Sequence, residues 1–430
     1  MRHYILMLKQ NNVSEINNGT LIQKKPHPAF SYFIYIGCAV SFLTTPFGFS
    51  AGKNLFYLSS YIAFFAFIFN LKYYTNNKFN LIFASSFFLF GIATIFWLVV
   101  YKQPGDYIDI YRSYMSTARL HIATAFIMLI ALNERLNIKK HVIAVGIIVG
   151  IMVNLYAIYQ GLWKNHGRIE LNYDRATIVA YFMTAINLVM MQSIKMLRNR
   201  HRILLYLSAF LFTFAMLILT GTRAAMLAYP VLILISIIAT KGLFNSRQKL
   251  IILISFPLLL IASSVIFNSQ IDKRINDFHR NLATIDNTKL DNSVFSRVWM
   301  QIVAIRTGNE APFGQSAEHR AAEALNIIHH EPRLNNVKRY LTVHLHNEIL
   351  ETWSLRGIWG VSLLLFIYCS LLTLSFKPQR NVMLLGVTLS LIIYGLSDVL
   401  FFSTECTVIF ALAIIASILS TKDINQEMMV

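Results

Sequence analysis

Long apolar runs separated by short polar segments set the pattern of this chain. They fall at 29–47, 54–71, 80–101, 119–133, 141–160, 176–194, 203–220, 224–240, 250–267, 357–376, 382–396 and 405–420. A helix needs about 20 apolar residues to cross a bilayer, within a range of about 17–25. Most runs meet that length, and 119–133, 382–396 and 405–420 must extend into flanking residues. The stretch 203–240 is too long for one span and must fold as two helices, with Gly221 marking the turn. The pattern predicts an all-α polytopic membrane protein of about twelve transmembrane helices. Residues 1–28 form a polar N-terminal segment, 29–267 hold spans one to nine, and 268–345 form one large loop. Residues 346–420 hold a helix extension and the last three spans, and 421–430 a short tail. The loop has ordinary composition and helix-compatible pieces at 294–306 and 315–330, so it is expected to be a small, partly helical unit.

Composition agrees. Of 430 residues, 56% are hydrophobic and 13% charged, with a mean hydropathy of +0.54. That is about half the charge of a soluble chain, which excludes a soluble enzyme and a disordered protein. The net charge of +18 reports orientation first. With the N-terminus inside, the inner segments hold nineteen Lys and Arg, including the clusters Lys195, Arg198, Arg200, Arg202 and Lys241, Arg247, Lys249. The short outer segments hold eight, which satisfies the positive-inside rule and places both termini in the cytoplasm. Cys38, Cys369 and Cys406 lie in apolar runs and are expected to be core residues. No internal repeat is visible and the spans are nearly free of charge, which weighs against a transporter.

Candidate chemistry gathers at the outer ends. In His344-Leu345-His346-Asn347-Glu348-Ile349, positions 346, 350, 353, 357 and 360 follow helical spacing. They predict a stripe with His346 about 16 Å above Gly357, and with Gly357 and Gly360 letting a neighbouring helix approach. His346 is then either a hydrogen-bonded interfacial histidine or a proton acceptor, while His344 points elsewhere. No ligand set at metal spacing accompanies the two histidines, so no metal is expected. Arg223, in Thr220-Gly221-Thr222-Arg223, stands at the outer end of a tight hairpin, where it snorkels, pairs or meets an anion. Arg297 lies in an amphipathic part of the large loop, and Arg168 and Arg175 flank Asn172-Tyr173-Asp174 in an outer loop. Asp398 and Glu405 flank the last outer loop, as caps or as partners of these arginines. Arginine forks hold phosphate bidentately, and a neutral histidine takes a proton near pH 7. Together they suit transfer of a group from a membrane-held diphosphate to a hydroxyl.

The block Val343 to Ile349, followed by Ser354-Leu355-Arg356-Gly357, resembles the O-antigen ligases, of the same superfamily as the O-antigen polymerases. The likeness continues at Leu219 to Ala224, at Ala317-Glu318-His319-Arg320-Ala321 and at Gly395-Leu396-Ser397-Asp398-Val399. The resemblance implies a GT-C-like, inverting, metal-independent glycosyltransferase of the bacterial inner membrane, without cofactor and with its site facing the periplasm. It implies an undecaprenyl-diphosphate-linked O-antigen donor, a lipid A–core acceptor, membrane lipids around the protein and no nucleic acid. It assigns catalysis to His346 and diphosphate binding to Arg223 and Arg297; beside these, Arg168, Arg175, His344, Asn347, Glu348 and Asp398 are candidates for contact with substrate or for support. A polymerase of the same superfamily and a lipid-linked oligosaccharide flippase are the alternative expectations.

Overall fold

The computed structural model describes residues 25–164, 168–173, 175–197, 200–240, 246–283, 295–376 and 380–421. Those residues form helices and connecting turns, with no strand among them. The first half runs α1 (Pro28–Thr44), α2 (Ser50–Phe69), α3 (Leu71–Thr75), α4 (Lys78–Tyr101), α5 (Ile108–Leu132), α6 (Lys139–Ile158), α7 (Ala176–Met196) and α8 (Arg202–Thr220). The second half runs α9 (Arg223–Ala239), α10 (Ser246–Ile266), α11 (Asn268–Ala283), α12 (Phe295–Glu310), α13 (Ala317–His330), α14 (Glu348–Phe376), α15 (Val382–Gly395) and α16 (Thr404–Leu419). Among the described residues, nine helical stretches are long and apolar enough to cross a membrane, and α9, α15 and α16 are shorter apolar helices. Each of the twelve apolar runs falls on one of these. The short run 119–133 borrows from its N-terminal side: α5 begins eleven residues earlier, at Ile108.

α7 is almost wholly buried and packs against α6, α8, α15 and α16, while α16 also packs on α5. Aliphatic and aromatic side chains fill this core, from Tyr181 and Phe182 on α7 to Phe410 and Ile414 on α16. Cys38 and Cys406 join it, but Cys369 is exposed, contrary to its apolar neighbourhood in sequence. The polar groups inside pair with one another: Asn154, Asn187 and Thr213 form one cluster, and Tyr394 donates to Thr184 at 3.0 Å. A buried polar group in an apolar medium is costly unless bonded, and these side chains satisfy one another.

Helices α12 and α13 and the 3-10 turns at Pro332–Tyr340 make a second, smaller core around Met300, Val303, Ala324, Leu334 and Leu345. Both helices lie close to the positions expected for the loop. Their unit is fastened to the ends of α4 and α5. Trp97 Nε1 donates to the Gln315 carbonyl at 2.8 Å, Tyr101 to that of Gly314 at 3.1 Å, and the Ala317 amide to the Tyr111 hydroxyl at 2.9 Å.

The expected stripe from 346 to 360 is corrected in two respects. The helix starts at Glu348, so His346 lies ahead of it, with φ 46°. The helix is also broken at Gly357 (φ 61°, ψ −156°). What approaches is the loop, since a Cβ on Gly357 would stand 2.3 Å from the Pro312 carbonyl oxygen. Trp353, on the same stripe, fits over Gly308 of α12. Gly360 faces Arg356 and Thr352 of its own chain turn rather than a neighbouring helix. The loop takes over the hydrogen bonds around the break. Gln315 N–H donates to the Leu355 carbonyl and Ile358 N–H to that of Pro312, both at 2.9 Å. Non-helical backbone at such a place survives because protein groups satisfy it.

Candidate functional site

The site is built where the loop ahead of α14 meets the turn after α15. Asn347 caps α14, its Oδ1 accepting from the amides of Ile349 (3.1 Å) and Leu350 (3.0 Å). Its amide donates to the Leu396 carbonyl at 3.1 Å, which ties the start of α14 to the end of α15. Glu348, also buried, accepts the Phe401 amide at 2.9 Å and holds the other side of the same turn. Asn347 and Glu348 therefore position backbone; neither reaches toward the open side of the cluster through these bonds.

His346 and Asp398 meet within this frame. Nδ1 of His346 lies 3.0 Å from Asp398 Oδ1, and the same oxygen accepts the Val399 amide at 2.9 Å. His344, expected to point away, converges on the same carboxylate: its Nε2 is 3.7 Å from Oδ1, and the two imidazoles are 4.4 Å apart. His344 is buried between His346 and Phe402, whereas His346 is 21% exposed, so only the latter opens to a ligand. Burial pushes the His344 imidazole down to about 4, against the pull of Asp398. Burial raises the Asp398 carboxyl, but the His346 hydrogen bond and the charges of His346, His344 and Arg297 outweigh it and hold the group well below the usual range. An ionised carboxylate only accepts. Nδ1 of His346 must then carry the proton, leaving the lone pair on Nε2. That is the arrangement of an oriented general base.

The arginines fall into two groups. Arg297, partly buried on α12, acts electrostatically on Asp398 and Tyr181, and Arg175, exposed at the start of α7, acts on His344. Both lie within electrostatic reach of the histidine cluster. Arg223 is the first residue of α9, after Gly221 in a left-handed turn (φ 64°), as the hairpin demanded. Arg168 fastens this hairpin, its Nε donating to the Thr220 carbonyl at 2.8 Å. Thr222 ties the hairpin to the start of α7, its hydroxyl 3.5 Å from the carbonyl of Ala176, the residue after Arg175 in sequence.

The spacing argument against a metal considered chain neighbours alone and missed Asp398, 52 residues from His346. Ligand atoms of His344, His346 and Asp398 lie within 4.8 Å of one another, close enough to share a cation. Sequence reasoning also missed a buried ion pair under the loop. Arg320 donates to Glu351 Oε1 at 2.8 Å with both side chains fully buried. Glu351 further accepts from the Leu345 amide at 2.9 Å and from Tyr114 at 3.3 Å. The residue immediately before His346 is thus pinned by a charge. The only signal was a charged residue, Arg320, in a block singled out for its likeness.

A family described as O-Antigen ligase matches residues 208–367, a span that holds Arg223, Arg297, Arg320, the two histidines and Glu351. An O-antigen ligase of Escherichia coli is 30% identical over 341 residues, covering 78% of this chain and 80% of that protein. The chain belongs to the O-antigen ligase family. In this family member Asp398, the partner of His346, lies beyond the family match.

Proposed function

We propose that the protein transfers O-antigen polysaccharide from undecaprenyl diphosphate to a sugar hydroxyl of lipid A–core. The reaction takes place on the periplasmic face of the inner membrane, with both termini in the cytoplasm. The observation that carries this reading is the pairing of His346 Nδ1 with Asp398 at 3.0 Å, which turns Nε2 into the base. The acceptor hydroxyl gives its proton to Nε2 while its oxygen forms a bond to the anomeric carbon of the donor. The bond from that carbon to the diphosphate oxygen breaks on the opposite face, and its electron pair leaves with the diphosphate. The configuration inverts. Asp398 stabilises the imidazolium as it forms and later lets it discharge to water.

Arg297 and Arg223 hold the diphosphate and offset the charge that grows as the bond breaks. Guanidinium groups suit this because they stay charged and fork onto phosphate oxygens. Arg175 and Arg168 add positive potential on the same side. With this much fixed positive charge the departing diphosphate needs no cation, so the reaction is metal-independent. The grouping of His344, His346 and Asp398 supports a second reading, in which a divalent ion replaces the proton-transfer role; a chelator separates the two.

The test is a lipopolysaccharide gel from a strain lacking the gene, together with the pool of carrier-linked polymer. Long polymer accumulating on the carrier beside bare lipid A–core is the expected result. Core bearing single repeat units would identify a polymerase, and an unchanged ladder would overturn the assignment.

A further inference from the structure

We propose that the end of the bundle remote from His346 binds an anionic phospholipid, with a groove for an acyl chain and a charged seat for the headgroup. Helix α5 measures the separation. Tyr114, near its start, bonds Glu351 beneath the His346 loop, and Leu132 ends the helix 18 residues later, about 27 Å away. Beyond Leu132 two cavities adjoin. One, of about 380 Å3, lies between α1, α6 and α16 and is walled by Ile36, Phe42, Val142, Leu412 and Ala416. The other, of about 350 Å3, is the more polar of the two, with Lys25, Ser31, Asn133, Glu134 and Arg135 beside apolar groups such as Pro28 and Ile130. Tyr35 joins them. Its ring lines the apolar cavity, and its hydroxyl donates at 2.8 Å to Glu134 in the polar one.

Charge identifies the occupant. Lys25 and Arg135 line the polar cavity, and Lys139, Lys140 and His141 follow at the start of α6. The one acidic group among the lining residues, Glu134, is turned inward: Oε1 accepts the amides of Arg135 (2.8 Å) and Leu136 (2.9 Å), and Oε2 accepts Tyr35. A basic cavity beside a lipid-sized apolar groove, at the end of a membrane bundle, is the chemistry that recognises a phosphate headgroup with its chain. A zwitterionic lipid offers the same phosphate but adds a quaternary ammonium, which this cluster of cations repels. The bound lipid would clamp α1, the α5–α6 connection and α16 to one another, and so stabilise the folded state by mass action. The site needs nothing from the transferase reading, and its test reads binding rather than transfer.

The experiment uses the full chain in mild detergent, titrated with micelles containing either dioleoylphosphatidylglycerol or dioleoylphosphatidylcholine. Native mass spectrometry reads retained lipid, and thermal unfolding reads the midpoint. Retention of phosphatidylglycerol over phosphatidylcholine, with a midpoint raised by the former alone, is expected. Replacing three cations (Lys25→Gln, Arg135→Gln, Lys140→Gln) should weaken that retention by about 100-fold, at roughly tenfold or less per charge. Ala416→Phe, which fills the groove and keeps the charges, should also weaken it. Lys102→Gln with Arg112→Gln, at the other end, should not. Equal retention of the two lipids, or a triple variant that binds phosphatidylglycerol like wild type, overturns the proposal. So does a midpoint shift reproduced by inorganic phosphate alone, which would make the polar cavity a simple anion site.

Discussion

Asp398→Asn isolates the electrostatic part of the proposed mechanism while keeping the shape of the side chain. In the native site the carboxylate accepts from His346 Nδ1 at 3.0 Å and from the Val399 amide at 2.9 Å. Because one oxygen, Oδ1, accepts both bonds, the amide oxygen of Asn can take its place and keep both, with its NH2 where Oδ2 stood. The tautomer is kept, and what is lost is the negative charge beside the imidazolium. The attraction between an imidazolium and a carboxylate 3.0 Å apart is roughly 5 kcal/mol at an effective dielectric of 20. At about 1.4 kcal/mol per tenfold, that bounds the loss at roughly four decades in rate. The assay is transfer of radiolabelled polysaccharide from its lipid carrier to lipid A–core by purified protein, followed as a ladder on a gel. Folding is checked by size-exclusion and the unfolding midpoint. The expected result is a folded protein whose turnover drops by at least about tenfold and by no more than that bound. A folded Asp398→Asn protein turning over at the wild-type rate would refute the role given to the carboxylate charge.

Further consequences concern the frame and the charges around that pair. Glu351→Gln strands the fully buried Arg320 and should cost about 3–5 kcal/mol of stability, whereas Arg320→Met with Glu351→Gln, which removes the stranded charge and keeps a partner for Leu345 and Tyr114, should recover most of it; unfolding midpoints decide, and equal losses in both would contradict the ion-pair account. Arg223→Ala and Arg297→Ala should each slow transfer by on the order of 100-fold or more, and full activity in either removes that arginine from the diphosphate site. His344 titrates near 4 in the folded protein against about 6.5 unfolded, so the unfolded state binds the extra proton between those values. Stability is therefore full above pH 6.5 and falls by up to roughly 3 kcal/mol as pH drops through that window, a slope that His344→Phe should flatten. EDTA should leave the transfer rate unchanged; a rate lost to EDTA and restored by a divalent ion would favour cation sharing by His344, His346 and Asp398.

What the sequence shows and what it hides divide along a physical line. Membrane helices declare themselves because each apolar run must satisfy its own backbone, so every one of the twelve runs lies on a helix. Gly221 was legible for the same local reason: two helices had to fit into 203–240, and glycine takes the left-handed turn at no steric cost. The loop helices α12 and α13 followed from composition and periodicity. The periodicity misled at His346. Helical spacing continues through 346–360, but tertiary contacts interrupt the helix at Gly357 and start it at Glu348. Packing against Pro312–Gly314 overrode the local pattern. Asp398 and Arg320 stand out in the sequence, but their pairings do not. Asp398 reaches His346 across 52 positions, and Arg320 reaches Glu351 across 31. No periodicity encodes which buried charge will meet which, because such pairs are chosen by helix packing.

The most direct measurement is transfer in proteoliposomes holding only this protein, undecaprenyl-diphosphate-linked polysaccharide and lipid A–core. Wild type should convert bare core into polymer-bearing lipopolysaccharide with release of undecaprenyl diphosphate, and folded His346→Ala should fall at least about 100-fold below it. Wild type that leaves the core bare, or a His346→Ala protein that builds the same ladder at the same rate, would contradict the account.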